Sequence, residues 1–170
     1  MKSLMISCVL VPILLSGAAV AEAGPLPFLH PLFADNMVLQ QGIAAPVWGW
    51  AAPGEKVTVR MEGKSASATA LADGKWLARL GPFAAGGPFT LQVSGPRSVT
   101  VKNVLVGDVW ICSGQSNMEM GIGAVDRAQE EIAGADFPKI RLFTVPKLVA
   151  AEPQSTCGGG PSRCTSSEKS

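Results

Sequence analysis

The chain has 170 residues, room for one medium domain or two small ones. Its 14 basic and 13 acidic residues leave a formal net charge of +1, which excludes the strong field that would draw in nucleic acid or an anionic membrane surface. Hydrophobic residues make up 47% of the chain, part of that share lying in an apolar leader, so the remainder has an ordinary globular composition.

Positions 1–23 read as a secretory signal peptide. Lys2 supplies the positive start, 4–20 the apolar centre, and Ala21-Glu22-Ala23 the small residues before a cut at Gly24. A membrane anchor needs about 20 apolar residues, and here Pro12 and Ser16-Gly17 interrupt the run. The expected product is periplasmic or secreted and leaves the membrane once the leader is cut. Cys8 goes with the leader. Of the cysteines left, Cys112 sits in an apolar run and reads as a buried, inert thiol, while Cys157 and Cys164 could close a small loop. The chain has no CxxC pair or His/Cys cluster, so no metal site is expected.

Positions 24–104 read as a small antiparallel β-sandwich module. Short alternating or β-branched runs recur at 37–40, 47–50, 56–61, 75–80, 89–93 and 98–104. Val57, Val59 and Met61 alternate with Thr58 and Arg60, giving one buried and one wet face. Pro53-Gly54, Asp73-Gly74 and Gly86-Gly87-Pro88 supply the turns.

The pattern changes at 105–150. Val104-Leu105-Val106 and Val109-Trp110-Ile111-Cys112 are near-continuous apolar runs, as in a strand covered on both faces. A turn carrying Ser116 follows, then a helix over 124–134 ended by Gly134, then a strand over 139–145. This order predicts the opening βαβ unit of an α/β hydrolase with a parallel sheet. Positions 151–170, rich in Gly and Ser, lose periodicity and read as a disordered or frameshifted tail.

Ser116 is the candidate nucleophile. A serine on a turn between a strand and a helix can be lifted toward a cleft, with backbone N–H groups nearby for an oxyanion. On the residues alone a capping or turn serine is the commoner explanation, and Met118 stands where a Gly-x-Ser-x-Gly elbow has its second glycine. Trp48, Trp50, Trp76 and Trp110 could stack a sugar, but tryptophans in short strands more often pack between sheets. Asp108 and Glu119 read as ties for the turn and helix start rather than an acid/base pair.

The block Gly107-Asp108-Val109-Trp110-Ile111-Cys112-Ser113-Gly114-Gln115-Ser116-Asn117-Met118 resembles the nucleophile block of the sialate O-acetylesterase family, within the SGNH or GDSL-like serine hydrolases. Leu32-Phe33-Ala34-Asp35-Asn36-Met37-Val38-Leu39-Gln40, Pro46-Val47-Trp48-Gly49-Trp50-Ala51, Asp73-Gly74-Lys75-Trp76 and Ile140-Arg141-Leu142-Phe143 agree with the same family. The resemblance implies a flavodoxin-like α/β hydrolase domain after the β-sandwich. It implies removal of O-acetyl groups from a sugar, sialic acid or acetylated xylan and other plant glycans, by two-step acyl transfer through Ser116 without cofactor. It also implies a late Asp-x-x-His segment and further oxyanion donors, and no such blocks follow here. The expectation is therefore a truncated N-terminal fragment, inactive by itself. The sole histidine, His30, precedes the β module and reads as an exposed loop residue. The rival reading is a non-catalytic carbohydrate-binding or interaction module.

Overall fold

The computed structural model describes residues 26–145 and 162–164. The leader, with its predicted cut, and most of the tail lie outside the described residues.

Among the described residues nine strands carry the architecture: β1 (Val38–Gln40), β2 (Ala45–Trp50), β3 (Lys56–Met61), β4 (Lys64–Thr69), β5 (Lys75–Leu80), β6 (Gly86–Ser94), β7 (Ser98–Gly107), β8 (Phe137–Leu142) and β9 (Ser162–Cys164). Five of them form a mixed sheet in the order β1-β7-β6-β3-β4, in which β1 runs parallel to β7 and every other pair is antiparallel. A second, antiparallel sheet pairs β2 with β5. Alternation explains the layering. Every second residue of β2, β3 and β5 is buried, and so are Leu91 and Val93 of β6 and Val101, Val104 and Val106 of β7. These side chains form one core between the two sheets. Val47, Val57, Val59, Leu80, Leu91 and Val104 are completely enclosed there, each contributing about 1.5–3 kcal/mol relative to exposure. The result resembles a β-sandwich of jelly-roll type.

The segment before β1 closes one side of this sandwich. Two backbone hydrogen bonds, His30 N to Trp48 O at 3.0 Å and Trp50 N to Pro27 O at 3.2 Å, lay residues 27–30 along β2. The approach is tight because position 49 has no side chain: a Cβ there would stand 2.0 Å from the Phe28 carbonyl oxygen. That oxygen in turn accepts the indole N–H of Trp76 at 3.0 Å, deep in the core. His30, expected to be exposed, is buried at 5%. Its ring packs on Trp48 and Trp50, with centroids 5.3 and 5.8 Å away, and Nδ1 accepts the Leu32 N–H at 3.1 Å.

The expected α/β hydrolase segment of flavodoxin-like type is not what the chain forms. Val104-Leu105-Val106 continues β7 within the sandwich, with Val104 and Val106 buried and Leu105 only partly so, which is a one-faced pattern. Val109-Trp110-Ile111-Cys112 is not a strand; Val109, Trp110 and Ile111 are 50, 85 and 93% exposed. The helix α1 is only Ala128–Gly134, and β8 pairs antiparallel with β9 instead of parallel with β7. A parallel unit requires a crossover that returns the second strand beside the first, and β8 does not join β7. Apolar content signalled a covered strand, but such runs do not by themselves specify pairing partners.

Replacing Gly49 by Ala should drive a methyl group into the Phe28 carbonyl and cost about 1–3 kcal/mol or more. Trp76→Phe, which leaves that buried carbonyl without its donor, should cost about 1–3 kcal/mol. Chemical denaturation followed by tryptophan-independent far-UV circular dichroism measures both, and an unchanged midpoint for either would contradict the packing described.

Candidate functional site

Ser116 opens a short 3-10 turn, Ser116–Glu119, one hydrogen bond of which runs from Met118 N to Gln115 O at 2.9 Å. Gln115 before it and Met120 after it are extended, so the serine opens a single turn between two extended residues. Ser116 is exposed, and no side chain among the described residues hydrogen-bonds its hydroxyl. Met118 folds back over Gly114, where a Cβ would lie 2.5 Å from the Met118 Cγ. A second 3-10 turn, Ile122–Ala124, and α1 follow, with Arg127 in a left-handed conformation between them. The helix therefore starts four residues later than predicted. The Arg127–Glu130 ion pair, at 3.9 Å and mostly in water, adds little stability.

The end of β7 and the two residues after it are tied to the segment around β1. The Asp35 carboxylate accepts the Lys102 N–H at 2.7 Å and the Asn36 N–H donates to the Lys102 carbonyl at 3.0 Å. Asn103 Nδ2 donates to Asn36 Oδ1, and both asparagines have positive φ. After β1, Gln41 N donates to Gly107 O at 2.8 Å, Gln40 Oε1 accepts the Val109 N–H at 2.8 Å, and Gln41 Nε2 donates to Asp108 Oδ1 at 2.9 Å. Two stretches nearly seventy positions apart in sequence thus meet side by side at the root of the serine turn. Asp108 does act as a tie, as expected, but to the Gln41 amide rather than to a helix start. The roles of Gln40 and Gln41 were not legible beforehand, because a glutamine pair carries no chemical signature of its own.

The other residues singled out in the sequence divide clearly. His30 is committed to the tryptophan face of β2, with Nδ1 already accepting a backbone N–H. Cys112, expected to be buried, is an exposed free thiol. Cys157 lies outside the described residues, so the suggested Cys157–Cys164 loop does too. Among the tryptophans, Trp76 is core, Trp48 and Trp50 are half-buried on the outer face of β2, and Trp110 stands in solvent. No group of three His, Cys, Asp or Glu residues close enough to hold a metal ion occurs among the described residues. No helix among them is long and apolar enough to cross a membrane.

Comparison with known proteins decides the relationship. Sialate O-acetylesterase of Mus musculus is 34% identical over 154 residues, 82% of this chain and 28% of the relative. The Homo sapiens sialate O-acetylesterase is 34% identical over 132 residues, 69% of this chain and 25% of the relative. The chain belongs to the sialate O-acetylesterase family. A carbohydrate acetylesterase of known structure from Xanthomonas citri matches it with a TM-score of 0.77 at 38% identity, covering 83% of this chain and 33% of that one. No family model matches the chain. The chain thus spans about a quarter to a third of the length of these family members.

Substituting Gln40 by Ala removes the acceptor that shields the Val109 amide. Hydrogen exchange at Val109 should quicken by roughly 5- to 10-fold, the equivalent of one net hydrogen bond of about 1 kcal/mol. The core amides of β3 and β6 should keep their protection; equal loosening at all sites would mean that Gln40 acts on the whole fold instead.

Proposed function

We propose that the chain carries the nucleophile of a carbohydrate acetyl-ester hydrolase, acting on an O-acetylated sugar. The observation that carries this reading is an exposed serine opening a tight 3-10 turn in a chain related to acetylesterases by both sequence and fold. The sugar is an O-acetylated sialic acid or an acetylated plant glycan. The reading of 1–23 as a leader puts the protein in the periplasm or outside the cell.

In this mechanism Ser116 Oγ attacks the acetyl carbonyl carbon, its proton passes to a base, and the carbonyl oxygen takes up the negative charge. The ester C–O bond breaks, the sugar leaves as an alcohol by regaining that proton, and water hydrolyses the acetyl-serine to acetate. The base is the missing element. The only histidine of the sequence is His30, which is buried against two indoles. A serine hydroxyl without an adjacent base stays protonated at neutral pH, and a positioned general base accounts for about 10²–10⁴ in rate. No described side chain hydrogen-bonds the Ser116 hydroxyl, so the described residues by themselves leave it without a base.

Chemical rescue tests the reading. The chain should react slowly with a fluorophosphonate probe, faster when free imidazole is added as a base, and the mass adduct should map to Ser116. The Ser116→Ala variant should show no such acceleration. An adduct at another residue, or equal reaction of the variant, would remove Ser116 as nucleophile.

A further inference from the structure

The outer face of β2 ends in a groove of about 670 Å³ whose walls include Trp50, Glu55, Asp73 and Arg97, with Pro27 and Pro96 at its rim. No residue of the 107–119 segment lines it. We infer that this groove is a second carbohydrate site, in which a pyranose ring lies on the Trp50 indole while Glu55, Asp73 and Arg97 take its polar substituents.

The groove is open to solvent on one side and has room for a sugar ring. Trp50 gives a broad apolar face suited to the C–H face of a sugar ring. The indole is held in place by His30, whose ring packs on it with centroids 5.8 Å apart. The carboxylates are also held in place. Glu55 Oε2 accepts the Ala52 N–H at 2.9 Å and Asp73 Oδ1 accepts the Lys75 N–H at 3.0 Å. Among the described residues nothing hydrogen-bonds the second oxygen of either carboxylate, and nothing pairs with the Arg97 guanidinium. Two fixed acceptors and one cation beside an indole match a ligand with several hydroxyls around a ring that presents an apolar C–H face. An apolar ligand would leave the charges without partners, and a simple anion would meet the two carboxylates. Arg97 can also pair with the carboxylate of an acidic sugar, so the same chemistry accommodates an acidic or a neutral saccharide. The inference rests on the acetylesterase reading only for the class of ligand.

Titration of the full chain with 3′-sialyllactose and with xylohexaose, followed by calorimetry and saturation-transfer NMR, tests it. At least one should bind saturably, with affinity at least ~5-fold lower in Trp50→Ala and in Asp73→Asn. Arg97→Ala should weaken the acidic sugar alone. Because Trp50 also supports His30, circular dichroism checks its variant; if that variant does not fold, Asp73→Asn and Arg97→Ala, which alter exposed side chains, carry the test. Saturable binding of neither sugar, or binding unchanged in every folded variant, overturns the inference. Ser116→Ala should leave binding intact, so loss of groove binding with the Ser116 adduct retained removes this site and leaves the proposed chemistry standing.

Discussion

The attachment of residues 35–41 along β7 fixes the end of the strand from which the chain runs on to Ser116. Asp35 and Asn36 engage β7 at Lys102 and Asn103, where its pairing with β6 is irregular, and Gln40 and Gln41 engage it at Gly107 through Val109. Between them β1 lies parallel to β7 in register Val38 to Leu105 and Gln40 to Gly107. A three-residue parallel strand is weak by itself, so the polar contacts at each end fix its position. The chain emerging from β7 is therefore held as far as Val109. Beyond Val109 that support stops, and the apolar side chains of Trp110 and Ile111 stand in water.

The sandwich itself is held by a different logic. Its core is apolar and alternating, but its wall is polar at one decisive point, the Phe28 carbonyl that accepts the Trp76 indole across Gly49. An unsatisfied buried carbonyl would be costly, and the indole resolves this while filling the largest volume in the core. His30 does the same service on the other face of β2, where an imidazole both packs on tryptophan rings and accepts a backbone N–H.

Where one face is wet and the other dry, the sequence was easily read. β2, β3, β5, β6 and β7 stand close to where alternation and turn residues placed them. β4, Lys64-Ser65-Ala66-Ser67-Ala68-Thr69, escaped notice because small and polar residues give no apolar rhythm; it is recruited by the hairpin with β3. The region after β7 was misread because its apolar run implies burial without naming what covers it. His30 was misread for the converse reason: one polar residue beside a proline gives no hint that two indoles await it. The serine turn was recognisable through its resemblance to a family, whereas the glutamines that support it become visible only when distant segments are brought together. Cys112 and Trp110 belong to the same error as the run that contains them.

Gly49 shows how indispensability and chemistry can part company. Its backbone lies so close to Phe28 that no other amino acid fits without displacing the wall of the sandwich. In a saturation mutagenesis of this chain, position 49 would rank among the least tolerant positions, although it has no side chain with which to react. Intolerance to replacement at this site measures how closely two stretches of main chain approach, and a screen for lost output alone would mistake that steric fact for a role in the reaction.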